Sequence, residues 1–192
     1  MLIRNVALAL VMLAVPLYSE GDTADSAIKD YNDRVEHYWD LHKKIEGALP
    51  AMDKKKKEPD PAVVIERERK LAAGIRAART NAAEGDIFTP AAQKILIAAI
   101  KQALSSSSRG STARGMILGE GNPKNPESPA RVDMRVNAKY PSNAPLSTVP
   151  PSVLLKLPKL PQGLEYRFVG KDLILYDSQA NLIVDILRKA IR

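Results

Sequence analysis

The C-terminal stretch Leu160–Ile186, LPQGLEYRFVGKDLILYDSQANLIVDI, constrains the fold more than any other part of the chain. From Leu164 to Val169 apolar and polar residues alternate, the pattern of a half-buried strand. Gly170-Lys171 follows as a two-residue connection with glycine first, the chemistry of a type II′ hairpin turn in which Gly supplies the positive φ. That turn fixes the register: Val169 faces Asp172, Phe168 faces Leu173, Tyr166 faces Leu175 and Leu164 faces Asp177. A second reversal over Ser178–Asn181 is expected to set Asp177 opposite Leu182, Leu175 opposite Val184 and Leu173 opposite Ile186.

Directly opposed residues share a face. One face of this meander therefore collects Leu164, Tyr166, Phe168, Leu173, Leu175, Leu182, Val184 and Ile186, and needs a cover, which the helices upstream are expected to supply. The other face collects Glu165, Arg167, Ile174, Tyr176, Ile183 and Asp185. There Arg167, Ile174 and Asp185 fall in one row and read as a surface charge pair spanning an apolar residue. Ile174, Tyr176 and Ile183, with Arg167, make this mixed face a candidate interaction surface.

Together with GDIFTP (Gly85–Pro90) and NAPLSTVPPSVLLKLPKLP (Asn143–Pro161), the stretch resembles a family of small exported bacterial proteins. Their signature reads roughly LEYRFVG(R/K)DLILxDxxANLIVD. The resemblance implies export and a C-terminal meander; the family is uncharacterised, so it implies no activity. A shorter likeness joins these strands to the C-terminal strands of periplasmic nickel/cobalt-homeostasis proteins.

The N-terminus reads as a targeting segment. Arg4 is followed by the apolar run Val6–Leu17 and then by small residues, too short for a bilayer-spanning anchor and right for a secretory h-region. The best small-x-small site is Ser19-Glu20-Gly21; the rival is an uncleaved anchor, since Pro16 and Tyr18 make that site imperfect. With residues 1–21 removed, about 170 of the 192 remain, enough for one domain. The chain has no Cys, which excludes lipoprotein processing, a disulfide framework and thiolate chemistry. Its net charge of +7 suggests a polyanionic partner. An exported protein with two Phe and one Trp, and no helix-turn-helix, zinc-finger or aromatic RNA-binding signature, is not expected to meet nucleic acid.

Residues 22–104 read as helical. Over Ser26–Leu49, the residues Ile28, Tyr31, Val35, Tyr38, His42, Ile45 and Leu49 form one seam. Asp60-Pro61 is an N-cap followed by proline at the first helical position, and Val64, Glu68, Leu71, Ile75, Ala78 and Ala82 repeat the spacing until Gly85. Folding back about Pro50–Pro59 pairs positions whose numbers sum to about 110, so that His42 meets Glu68 as a buried polar pair. That pair reads as fixing the register, with a metal ligand pair or a pH switch as the sharper alternatives. His37 shares an exposed stripe with Asp33 and Asp40, a spacing suited to weak divalent-metal binding or to a solvated face. The inter-helix loop carries Lys54, Lys55, Lys56 and Lys57, which are solubilising or touch an anionic surface. Thr89-Pro90 opens a third helix through Leu104, apolar on nearly every side and expected to lie buried between hairpin and sheet.

Residues 105–130, rich in Ser, Gly and Pro, read as a flexible linker with one helical turn around Met116–Leu118. Residues 131–192 hold the meander, with an alternating fourth strand over Arg131–Tyr140 and a short helix over Ser152–Leu157 whose Leu154, Leu155 and Leu157 close one sheet edge. The fold class is α+β: an antiparallel helical hairpin and a third helix, packed as one domain on an antiparallel β-meander of three to four strands. No catalytic residue, cofactor site or metal motif emerges: there is no G-x-S-x-G, no H-E-x-x-H and no paired carboxylates set to diverge in pKa. The expected function is therefore a non-catalytic periplasmic or secreted protein, without a transmembrane span in the mature chain, that binds another cell-envelope component, an envelope protein or an anionic envelope surface. The alternatives are a basic binder of anionic lipid or glycan, and weak divalent-metal handling.

Overall fold

A computed structural model describes residues 20–51, 60–105, 108–119, 132–142, 144 and 149–191. The expected leader lies outside the described residues, apart from its last two positions. The elements run α1 (Glu20–Gly47), α2 (Pro61–Ala78), α3 (Pro90–Ser105), α4 (Ser108–Gly119), α5 (Pro151–Leu154), β1 (Leu164–Val169), β2 (Asp172–Asp177) and β3 (Leu182–Leu187). The protein is α+β, with a three-stranded antiparallel sheet of order β1-β2-β3 at its C-terminal end.

The helices begin where local chemistry sets them. Asp60 accepts the Ala62 N–H at 2.9 Å, and Pro61, which has no N–H to satisfy, occupies the first turn of α2. Thr89 Oγ1 accepts from Ala92 N at 3.4 Å at the head of α3. Proline at position 151 opens α5 in the same way, but that helix ends at Leu154, and Leu155 stands 85% exposed. Leu154 is also exposed, so only Leu157 of the three expected leucines, aided by Val153, closes the core there.

α1 and α2 form the expected hairpin in a different register. Ile45 lies against Gly74, whose missing side chain allows the approach: a Cβ there would sit 2.6 Å from Ile45 Cγ2. A sum of 110 would instead have set Ile45 beside Ile65, which is exposed. Close backbone approach at glycine outweighed seam matching.

β1 and β2 pair in the predicted register from Val169↔Asp172 to Leu164↔Asp177, and Gly170 has φ 61°. β3 departs from expectation. After Asp177↔Leu182 and Tyr176↔Ile183 the register shifts, and the pairs become Leu175↔Asp185, Ile174↔Ile186 and Leu173↔Leu187. Val184 is the extra residue of a β-bulge, which moves every later side chain to the opposite face. Asp185 thus leaves the mixed face for the helix-covered one, and Ile186 takes its place beside Ile174. The surface row Arg167–Ile174–Asp185 does not exist; Asp185 is fully buried.

The principal core joins both halves of the chain: Tyr31, Val35 and Tyr38 of α1, Leu71 and Ile75 of α2, and Leu96 and Ile100 of α3 meet Tyr166, Phe168, Leu173 and Leu175 of the sheet. A polar tie runs through it, with Tyr31 Oη 2.8 Å from Tyr166 Oη and Tyr166 donating to the Pro158 carbonyl. α3 is buried along Ala92, Leu96, Ile100 and Ala103 only; Lys94, Ala98 and Lys101 on its outer side are exposed, so it is an amphipathic cover rather than an enclosed rod. Part of the expected linker is helix: α4 spans Ser108–Gly119 and buries Ala113 and Ile117. Residues 120–131 lie outside the described residues.

The expected fourth strand is reduced to one bridge, Lys139↔Leu182, beside β3. Asn137 breaks the extended run by adopting φ 64°, a left-handed conformation that Asn tolerates better than most residues. Its backbone N–H donates to the Ile183 carbonyl, while its side chain donates to the Arg79 carbonyl at 2.9 Å. The segment still acts as a cover, because Val132, Met134, Tyr140 and Ala144 pack on the second sheet face.

Candidate functional site

That cover removes the expected interaction surface. Ile174 and Ile183 are fully buried, and Tyr176 is buried with its ring 5.7 Å from that of Tyr140, edge to face. Arg167 pairs with Glu165, its neighbour on β1, and stays half-buried. A contiguous apolar sheet face would be costly to leave wet, and Val132, Met134, Tyr140 and Ala144 meet that demand from within the chain.

The densest polar constellation lies where α1 meets the β2–β3 turn. Tyr38 Oη donates to Asp177 Oδ2 at 2.7 Å, and His42 Nδ1 lies 2.7 Å from the same oxygen. Asp177 Oδ1 accepts the backbone N–H groups of Gln179 at 3.0 Å and Ala180 at 2.9 Å, which fixes the turn. His42 Nε2 faces Gln179 Oε1 at 3.1 Å, with Glu46 at 3.8 Å. Trp39 stacks on the imidazole at 4.3 Å between centroids, and the Arg79 guanidinium lies 4.9 Å from the centre of the Tyr38 ring.

Burial pulls the His42 pKa down. The Asp177 hydrogen bond and charge, the Gln179 oxygen and Glu46 outweigh it and hold the value above the ordinary 6.5. Both ring nitrogens face oxygen acceptors, the arrangement that an imidazolium satisfies with two donated hydrogen bonds. Burial raises the Tyr38 phenol well out of its usual range, and Asp177 raises it further. Chemically, a His–Asp pair of this kind is half of a general base. Here Nε2 is engaged by Gln179 and the ring is fully buried. The pair therefore holds α1 to the sheet turn.

His42 and Glu68 are not brought together. Glu68 instead meets Lys139 Nζ at 3.0 Å and Asn181 Nδ2 at 3.3 Å. The slipped hairpin register separates the two, and the sheet turn supplies the carboxylate that α2 does not. A signal for this was present in the chain: the register that sets Asp177 between Leu164 and Leu182 puts a carboxylate in an apolar row, where it requires a buried partner.

The second buried carboxylate, Asp185, accepts four backbone N–H groups. Gly85 N and Ile186 N meet Oδ1 at 2.9 and 2.7 Å, and Ile87 N and Phe88 N meet Oδ2 at 2.7 Å each. Burial pushes its pKa up against the pull of those donors. The GDIFTP loop is thus wrapped around a side chain of β3. Arg79 seals the site by donating to the Val184 carbonyl at the bulge and to Asn137 Oδ1. Among the described residues every buried side-chain nitrogen and oxygen has a hydrogen-bond partner.

Gly163 closes the wall beside Trp39. Its φ is 104°, and a Cβ would stand 3.0 Å from the Trp39 ring and 3.1 Å from Gln179 Nε2. Gly163→Ala is expected to lower stability by about 1–3 kcal/mol, through backbone strain and the contact on the indole. Because the chain has a single Trp, chemical denaturation followed by fluorescence reads the loss and the displaced indole together.

On the outer stripe of α1, His37 is exposed, but Asp33 is paired with Lys29 at 2.7 Å and Asp40 with Lys43 at 2.8 Å. Among the described residues no group of three or more His, Asp or Glu is arranged to hold a metal ion. Lys54–Lys57 lie outside the described residues. Next to them in the chain, the first turns of α2 expose Val63, Val64 and Ile65 at 50%, 42% and 62%. A cleft of about 680 Å³ between α1, α3 and the segment around Lys159 has an apolar floor of Val35, Leu96 and Leu157, and carries charges of both signs, Glu36, Lys156 and Lys159. No described helix is long and apolar enough to cross a membrane. Comparison with protein families, curated proteins and solved structures finds no match to this chain.

Proposed function

We propose that the protein is exported, acts without catalysis, and binds the anionic lipid surface of the cell envelope through the tip of its helical hairpin. One observation carries this reading: Val63, Val64 and Ile65 are consecutive on α2 and all exposed. Consecutive helical positions point in directions about 100° apart, so the start of α2 presents apolar side chains around more than half its girth, each 42% exposed or more. Isolated exposed apolar residues need no explanation, but three in a row at a helix end do.

The lysine run Lys54–Lys57 precedes them in sequence, and the whole chain carries +7. Apolar side chains entering the headgroup layer and lysines over anionic headgroups are the two ingredients of reversible surface binding, each lysine contributing about 1 kcal/mol. The burial of Ile174, Tyr176 and Ile183 favours this reading over a protein docked on the mixed sheet face.

The test is cosedimentation of the chain from Asp22 with phosphatidylglycerol and with phosphatidylcholine vesicles. Binding is expected to the anionic vesicles alone, to fall with salt, and to drop at least tenfold in Val64→Asp/Ile65→Asp and in the Lys54–Lys57→Ala variant. Equal binding to both vesicle types, or no loss in either variant, rejects the reading. Capture of a discrete envelope protein at high salt would move it back to protein recognition.

A further inference from the structure

The end of α5 and the turn after it stand out from the molecule as a ridge. Leu154 is half exposed, and Leu155, at 85%, is the most exposed large apolar residue among the described ones. The ridge is firmly supported. Val153 and Leu157 beside it are buried, and the Leu154 and Leu155 N–H groups donate to the Pro150 and Pro151 carbonyls. Tyr166 ties it to the sheet by donating to the Pro158 carbonyl, and Pro158 and Pro161 fix φ along its far end. Two adjacent leucines held in water on a rigid support carry a cost that burial against a partner would relieve.

A recess lies on each side of the ridge. The cleft of about 680 Å³ at α1 and α3, and another of about 440 Å³ beside β1, share Leu157, Pro158, Lys159 and Leu160 as a common wall. The larger cleft has an apolar floor that includes Val35 and Leu96. Glu36 of α1 lines one of its walls, and Lys156 and Lys159 of the ridge line the other. All three charged side chains are exposed, and none pairs with another described residue. Protruding leucines flanked by lysines thus lie next to a recess with an apolar floor and a carboxylate on its wall. The patch is complementary to itself.

We infer that the protein forms a two-fold symmetric dimer in which each ridge enters the α1–α3 cleft of the other copy. Leu155 then lies over Val35 and Leu96 of the second copy, with Lys156 and Lys159 beside its Glu36. A two-fold contact uses one patch twice, so knob and hole must be neighbours on the same molecule. Here they share a wall, whereas a foreign protein would need only one of them. The contact is small, below about 1,200 Å² in total, which sets the expected dissociation constant in the micromolar range. It is separate from the hairpin tip and stands whether or not the tip binds vesicles.

Sedimentation velocity of the protein over about 1–300 µM brackets such a constant. A reversible monomer–dimer equilibrium is expected, and Leu155→Asp is expected to weaken it at least tenfold. Glu36→Lys alone, and Lys156→Glu/Lys159→Glu alone, should each weaken it at least tenfold, because each sets like charges together in both halves of the contact. Mixed in equal amounts, these two variants are expected to associate within about threefold of the wild type, since both halves of the mixed dimer again join opposite charges. A monomer that had merely lost stability would not be rescued in this way. Val64→Asp/Ile65→Asp is expected to leave the dimer unchanged. Thermal unfolding identifies a variant that has lost its fold, and Leu155→Asp, at an exposed site, carries the test should a charge variant do so. The inference is overturned if the protein stays monomeric over the whole range or if Leu155→Asp associates as the wild type does. It is equally overturned if the mixture of folded charge variants fails to associate, or if the tip variant abolishes the dimer.

Discussion

Asp185→Ala is expected to lower the unfolding free energy by about 4 kcal/mol, which for a domain of ordinary stability is about a quarter or more of the total. Four backbone N–H groups converge on this carboxylate within 2.9 Å, and three come from sites buried in the fold. Each orphaned buried donor costs about 1–3 kcal/mol, offset in part by water entering the vacated space. Asp185→Asn, which keeps one acceptor oxygen and turns an NH2 toward the remaining donors, is expected to lose roughly half as much or more. Urea unfolding followed by circular dichroism measures both. A loss below about 1 kcal/mol in the alanine variant would mean that the loop at Gly85–Phe88 does not depend on this side chain. Because that loop also leads into α3 through Thr89, the variant is expected to raise amide exchange along the first turn of α3 as well.

The His42–Asp177 pair is expected to make stability depend on pH with a definite sign. The folded-state pKa of His42 is raised above the ordinary 6.5. Its stabilisation is therefore complete below about pH 6.5 and is lost as the pH climbs through the raised value. Wild-type protein should be more stable at pH 6 than at pH 9, and His42→Leu should lose that difference while costing about 3–5 kcal/mol at the acid end, where it strands the buried Asp177 carboxylate. Trp39, stacked on the imidazole at 4.3 Å, is the reporter. Its fluorescence should rise as the neighbouring imidazolium deprotonates, with a midpoint above 6.5, and should be flat in His42→Leu. Stability that rises with pH over this window in the wild type, or a variant with the wild-type slope, would show that the ring carries no charge in the folded protein.

Local rules made part of this structure legible in advance. The Asp60-Pro61 and Thr89-Pro90 helix starts and the Gly170 turn were readable because each is decided by a few adjacent residues. The β1–β2 register followed from the turn for the same reason. What escaped was set by partners distant in the chain. The bulge at Val184 answers to Arg79 and to the amides of the 85–88 loop, none of which announces itself in an alternating strand pattern. Asn137 ends the expected fourth strand because of the Arg79 carbonyl, just past the end of α2. α4 is helical despite its serines and glycines because Ala113 and Ile117 find the core, a tertiary reward that composition does not show. For the candidate site, His42 was legible as a buried polar residue and its partner was not. The hairpin register assigned it Glu68, whereas a turn more than a hundred residues away holds the acceptor.

The bulge has a consequence for how the chain comes to be folded. The acceptors that complete the α1 and α2–α3 regions, Asp177 and Asp185, reside on β2 and β3, which follow every described helix in the chain. Their partners lie 97 to 139 positions earlier. A nascent chain that ends before Leu182 has every helix but not the side chain around which the 85–88 loop closes. Loop closures over such separations are slow and come late in folding. The helical half should accordingly stay loosely packed until β3 has been synthesised. A chain of this design stays open while all its described helices are made and locks only when β3 arrives.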